Sequence, residues 1–92
     1  MARIVSLTAD VATGNYQAIQ PGAGVEWVVH NVFAPNGVQF ELYWYNGTDS
    51  VLIGVYSSSL LGYPLSVTND VYLRIKNTSG ATAKFGWSGA IV

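Results

Sequence analysis

The sequence predicts an all-β fold: an antiparallel β-sandwich, jelly-roll-like, with about eight short strands. Three observations carry that prediction. Apolar residues recur with a period of two in several separate segments, and no segment shows the spacing of an amphipathic helix. Turn-forming residues fall between those segments at intervals of roughly eight to twelve residues, as in sandwiches and small barrels. The 92 residues suffice for a single domain, residues 1–92, with no room for a second.

Strands are expected near residues 3–8, 16–20, 25–33, 38–45, 49–57, 60–67, 71–77 and 82–91. The third carries the clearest alternation, with Val25, Trp27, Val29 and Phe33 on one face and Glu26, His30, Val28 and Val32 on the other. In the fourth, Val38, Phe40, Leu42 and Trp44 oppose Gln39, Glu41, Tyr43 and Tyr45. Val71, Leu73 and Ile75 then oppose Tyr72, Arg74 and Lys76, and Ala83, Phe85, Trp87 and Ile91 alternate with Thr82, Lys84, Gly86 and Ser88. One apolar and one mixed face is what half-buried antiparallel strands require. Pro35-Asn36-Gly37 and Asn46-Gly47 bring residues that accept positive φ, and Asn46-Gly47 is a strong hairpin signal. Pro21-Gly22-Ala23-Gly24, Thr68-Asn69-Asp70 and Asn77-Thr78-Ser79-Gly80 punctuate the remainder. Gly54 and Pro64 fall inside strands, and because proline removes a ladder donor they mark an edge or a bulge.

Charge is scarce. Four Lys and Arg, five Asp and Glu and one His stand in a chain that is 50% hydrophobic, with three Trp, six Tyr and three Phe. A folded monomer of this mass exposes roughly 5,000 Å², which leaves on the order of 500 Å² per charged group. Freely soluble surfaces are normally about a quarter charged or more. The composition therefore predicts a surface that meets other protein or is solvated by Ser, Thr, Asn, Gln and Gly. The near-neutral balance, with no basic stripe, argues against nucleic acid as a partner. The opening Met1-Ala2-Arg3-Ile4-Val5-Ser6-Leu7 does not read as a signal peptide. No apolar run approaches the roughly eighteen residues of a membrane helix, so no membrane partner is expected. The sequence has no Cys, which removes disulfides and thiolate chemistry together.

Catalytic chemistry finds little material. His30 is the sole imidazole, and Glu26 lies roughly 13 Å away along an extended strand, too far to orient it; a surface or interface histidine is the simpler reading. Glu26 and Glu41 would approach one another if the third and fourth strands formed a hairpin about Pro35-Asn36-Gly37, but opposed like charges are unfavourable in a sheet. Asp49, Asn69 and Asp70 lack the spacing of a calcium loop. Asn46-Gly47-Thr48 and Asn77-Thr78-Ser79 match the glycosylation pattern but read more simply as turns. The sequence thus predicts no enzyme, cofactor or metal.

The aromatic residues say more. Trp27, Trp44, Trp87, Phe33, Phe40 and Phe85 fall with the aliphatic residues and are expected in the core. Tyr43, Tyr45, Tyr56 and Tyr72 fall on the opposite faces, where they form amphipathic patches suited to an interface, to a sugar platform, or to a second packed face. Arg74 and Lys76 flank Tyr72, placed to stack on rings or to pair with Glu41 or Glu26 across an interface. Interface candidates are therefore Tyr43, Tyr45, Tyr56, Tyr72, Arg74, Glu41 and His30.

The segment Ile19-Gln20-Pro21-Gly22-Ala23-Gly24-Val25-Glu26-Trp27-Val28-Val29-His30-Asn31, followed by Phe40-Glu41-Leu42-Tyr43-Trp44-Tyr45-Asn46-Gly47, resembles small β-proteins of tailed-phage particles. The likeness is specific over about a dozen residues and general in style elsewhere. It implies a structural virion component made in the host cytoplasm and placed on the virion surface. A capsid decoration (cement) protein acting as a homo-oligomer, a trimer above all, is the leading expectation. Its partners would be itself and the major capsid protein or another virion protein. The alternative is a carbohydrate- or receptor-binding module of a fibre or spike, with a glycan as partner.

Overall fold

A computed structural model of the chain describes residues 2–7 and 10–92. Eight strands run as β1 (Ala2–Leu7), β2 (Tyr16–Ile19), β3 (Glu26–Phe33), β4 (Phe40–Tyr45), β5 (Ser50–Tyr56), β6 (Leu60–Thr68), β7 (Tyr72–Asn77) and β8 (Gly86–Ile91). No helix forms among the described residues. Two four-stranded sheets result, ordered β1-β8-β3-β6 and β2-β7-β4-β5, with every pairing antiparallel. The Cα radius of gyration is 12.3 Å, about the value expected of a compact chain this long.

Both sheets contribute to one apolar cluster. Ile19, Phe40, Leu42, Leu73 and Ile75 come from the second sheet, and Val29, Val32, Val67 and Trp87 from the first, joined by Val11 and Phe85. The alternating faces read from β4, β7 and β8 supply five of them, Phe40, Leu42, Leu73, Ile75 and Trp87. Phe40 packs edge-on against Phe85 at a ring separation of 5.5 Å, a favourable quadrupole geometry.

β3 departs from strict alternation. Its pairing with both β6 and β8 shifts between Val29 and Asn31: against β8 the extra residue is His30, whereas against β6 the surplus lies on β6, where Gly62, Tyr63 and Pro64 face that one residue. A bulge of one residue reverses the phase of everything after it. Val32, expected on the mixed face, is accordingly buried, while Phe33 is only partly buried and outside the central cluster. A second bulge lies in β5, between the pairs Leu42–Gly54 and Tyr43–Leu52.

The expected hairpin between the third and fourth strands does not form. β3 pairs with β6 and β8, whereas β4 pairs with β5 and β7. Glu26 and Glu41 thus belong to different sheets. The Asn46-Gly47 hairpin is present, with Tyr45 opposite Ser50. Asn46 Oδ1 accepts from the amides of Thr48 (2.9 Å) and Asp49 (2.7 Å), and Gly47 takes the positive φ of 94° that this turn needs. Gly54 and Pro64 lie in β5 and β6, the outermost strands of the two sheets.

Asn77 closes the end of β7. Its side chain is fully buried and fully used: Nδ2 donates to the carbonyls of Val11 and Ala81, both at 2.7 Å, and Oδ1 accepts from the amide and hydroxyl of Ser79. A buried amide bonded at every polar atom is the low-cost way to bury one. It also makes Asn77 inaccessible to a modifying enzyme while folded.

Candidate functional site

The β2-β7-β4-β5 sheet turns a tyrosine-rich face away from the core. Because Ile19, Leu73, Ile75, Phe40 and Leu42 point inward, their neighbours along each strand must point outward. Register then aligns them in rows across the sheet. Tyr16 stands opposite Lys76, Lys76 opposite Glu41, and Glu41 opposite Val55. The next row runs Ala18, Arg74, Tyr43, Leu52, and the third Tyr72, Tyr45, Ser50.

Arg74 is the centre of this face. Its guanidinium lies over the ring of Tyr45 at 3.7 Å and that of Tyr16 at 4.1 Å, and the Lys76 ammonium is 5.6 Å from the Tyr16 ring. A planar, weakly hydrated cation stacks well on ring faces, at about 0.5–1 kcal/mol per exposed contact. Its hydrogen bonding is thin by comparison. Nη2 reaches Ser50 Oγ at 3.4 Å, a long bond, and the buried Nε has no hydrogen-bond partner among the described residues. Two edge-on ring pairs complete the cluster: Tyr16 with Tyr43 at 6.0 Å and Tyr45 with Tyr72 at 5.6 Å. The Tyr45 hydroxyl donates to the Gly47 carbonyl at 2.9 Å, tying the cluster to the β4–β5 turn.

Tyr43 donates its hydroxyl to the Glu41 carboxylate. That bond, with a smaller contribution from burial and from the neighbouring negative charge, raises the phenol from its usual 10 to about 12. The proton stays on Tyr43 through the physiological range. In the same way Glu41 is held by Tyr43, and the one ion pair among the described residues, Lys84 with Asp10 at 2.8 Å, lies elsewhere.

Five of the seven interface candidates, Tyr43, Tyr45, Tyr72, Arg74 and Glu41, are brought together here. Tyr56 is not. The β5 bulge reverses the expected phase, and its ring packs on the core side, 5.6 Å from Phe40 and over Gly54. His30 is exposed on the other sheet, at the β3 bulge. Sequence reasoning missed Tyr16. The signal was there in Tyr16-Gln17-Ala18-Ile19, where an inward Ile19 obliges Tyr16 to face outward.

Glu26 accepts a hydrogen bond from Ser66 on the far sheet, so the two glutamates share no site. Among the described residues no group of three His, Asp or Glu side chains is disposed to hold a metal. What the tyrosine face offers chemically is contact: flat rings, a stacked cation and hydroxyls at their rims. No protein-family model matches the chain, and no curated protein matches it.

Proposed function

We propose that this protein is an architectural component of a virion, a capsid decoration protein that works as a closed homo-oligomer, a trimer above all. In this reading the tyrosine face docks on the major capsid protein or another particle protein. The observation that carries the proposal is the cluster of Tyr16, Tyr43, Tyr45 and Tyr72 around Arg74, displayed on a sheet face in a chain nearly devoid of charge. Tyr and Arg are the residues enriched where protein contacts concentrate their binding energy. Ring contacts hold the side chains in place beforehand, which lowers the entropy lost on docking.

The fold belongs to the same proposal. We read the order β1-β8-β3-β6 and β2-β7-β4-β5 as a jelly-roll sandwich, supported by its eight antiparallel strands and by one apolar cluster drawn from both sheets. The sugar-binding alternative has less support. A sugar platform needs an open ring face, whereas these rings meet edge to face and Arg74 already covers Tyr16 and Tyr45.

Size-exclusion chromatography with light scattering on the purified chain tests the proposal. A single closed oligomer is the expected result. A strict monomer at high concentration that also leaves purified capsids undecorated overturns it.

A further inference from the structure

We infer that the partner docked on the tyrosine face presents a carboxylate, an Asp or Glu side chain, to Arg74; this rests on the docking reading above. Arg74 stands in the middle row of the face, with Tyr16 in the row on one side and Tyr45 in the row on the other. The two rings lie 4.1 and 3.7 Å from the guanidinium carbon and occupy its flanks. Nε is buried and bonds nothing among the described residues.

What stays open is the Nη end. Nη2 has only the long 3.4 Å contact with Ser50 Oγ. Nη1 bonds nothing among the described residues and, unlike Nε, is not buried. Two N–H groups side by side in one plane are what a carboxylate fills with a pair of parallel bonds. The hydroxyls of Tyr16 and Tyr72 also bond nothing among the described residues, so further donors stand on the same face for the carboxylate's other lone pairs.

Charge selects the occupant. The face carries two cations, Arg74 and Lys76, and one anion, Glu41, a surplus of one positive charge. Glu41 is engaged by the Tyr43 hydroxyl, and neither cation has an ion-pair partner among the described residues. Docking covers Arg74, and a cation covered without a counter-ion gives up its hydration with nothing in return. A backbone carbonyl on the partner would satisfy an N–H without balancing the charge. One carboxylate does both. Nucleic-acid phosphate is the poorer match, because it repeats its charge along a backbone. This chain has a net charge of −1, and Lys84 is already paired with Asp10.

Co-sedimentation with purified capsids tests the inference. Arg74→Lys keeps the charge but gives up the fork, and should weaken binding at least about tenfold with far-UV circular dichroism unchanged. A second arm needs no variant. Capsids that stay intact after their carboxylates are amidated with carbodiimide and glycinamide should bind the unmodified chain at least about tenfold less. Tyr16→Ala/Tyr72→Ala reports on the face itself and should weaken binding whatever acceptor the partner presents. If that double variant binds weakly while Arg74→Lys binds undiminished, or the amidated capsids do, the carboxylate is overturned and the docking reading stands. Binding to the particle's DNA in place of its shell overturns the carboxylate in favour of phosphate. A parent that leaves capsids bare, or a double variant that binds as the parent does, overturns the docking reading and the inference with it.

Discussion

The two sheets turn unlike faces to solvent. The β2-β7-β4-β5 sheet displays four tyrosines, Arg74 and Lys76, locked together by ring contacts. The β1-β8-β3-β6 sheet displays Val28 between Ser66 and Ala90, with Glu26 and His30 exposed nearby. Both sheets supply the same core, so folding alone does not call for this difference. What limits the plain sheet is backbone spacing; what distinguishes the tyrosine sheet is side-chain chemistry. The proposed docking role rests on that contrast.

Gly89 offers the hardest way to break it. A Cβ at this position would lie 2.0 Å from the Val28 carbonyl oxygen and 2.9 Å from Val29 Cα, both backbone atoms beside the bulge. Gly89→Ala should therefore cost about 3 kcal/mol in a denaturant titration. Gly54→Ala, which meets only the tip of the Tyr56 ring, should cost less. A silent Gly89→Ala would show that backbone spacing does not constrain the plain sheet.

The next largest effect belongs to Asn77. Asn77→Ala leaves the Val11 and Ala81 carbonyls and the Ser79 amide without their partner, and should cost about 2–3 kcal/mol in thermal or chemical unfolding. Smaller again is Arg74→Leu, which removes a cation from between two rings. It should lower stability by only about 1 kcal/mol but reduce binding to the particle, measured by co-sedimentation. Val28→Thr on the plain sheet should change stability by about 0.5 kcal/mol or less and leave co-sedimentation unaltered. Equal binding losses from both substitutions would erase the distinction between the faces.

The smallest effect is lost in alkali. The folded Tyr43 phenol titrates at about 12 against an ordinary 10, so its proton is held more tightly in the folded state. Its stabilisation is fully present below 10 and is lost as pH rises from 10 through about 12. Absorbance titration should show one late-ionising phenol, and Tyr43→Phe should abolish that late step and lower stability at neutral pH by about 0.5 kcal/mol, a loss that fades as pH rises through the alkaline range.

Much of the fold was legible in the chain. Leu73 and Ile75, or Phe40 and Leu42, announce their shared face by spacing alone, and Asn46-Gly47 announces its turn. Pro64 signalled an outer strand because a proline cannot serve a ladder on both sides. The candidate site was legible in part: Tyr43, Tyr45, Tyr72, Arg74 and Glu41 follow from alternation once their inward neighbours are assigned. Val32, Phe33 and Tyr56 were misplaced because a bulge adds one residue and reverses the period, and local pattern carries no mark of that addition. The Glu26–Glu41 approach failed for another reason. Sequence proximity suggested a β3–β4 hairpin, but β3 pairs with β6 and β8 far along the chain, and β4 pairs with β7 and with β5, its neighbour on the other side.

Local chemistry by itself determined the strands, the turns and the scarcity of charge, since each depends on a residue and its immediate neighbours. Apart from the Asn46-Gly47 hairpin, tertiary structure alone decided which strands lie side by side, and with that the stacking of Tyr16 and Tyr45 on Arg74. Pairing is settled by the burial of one apolar cluster drawn from both sheets, a sum over distant residues that no short stretch contains.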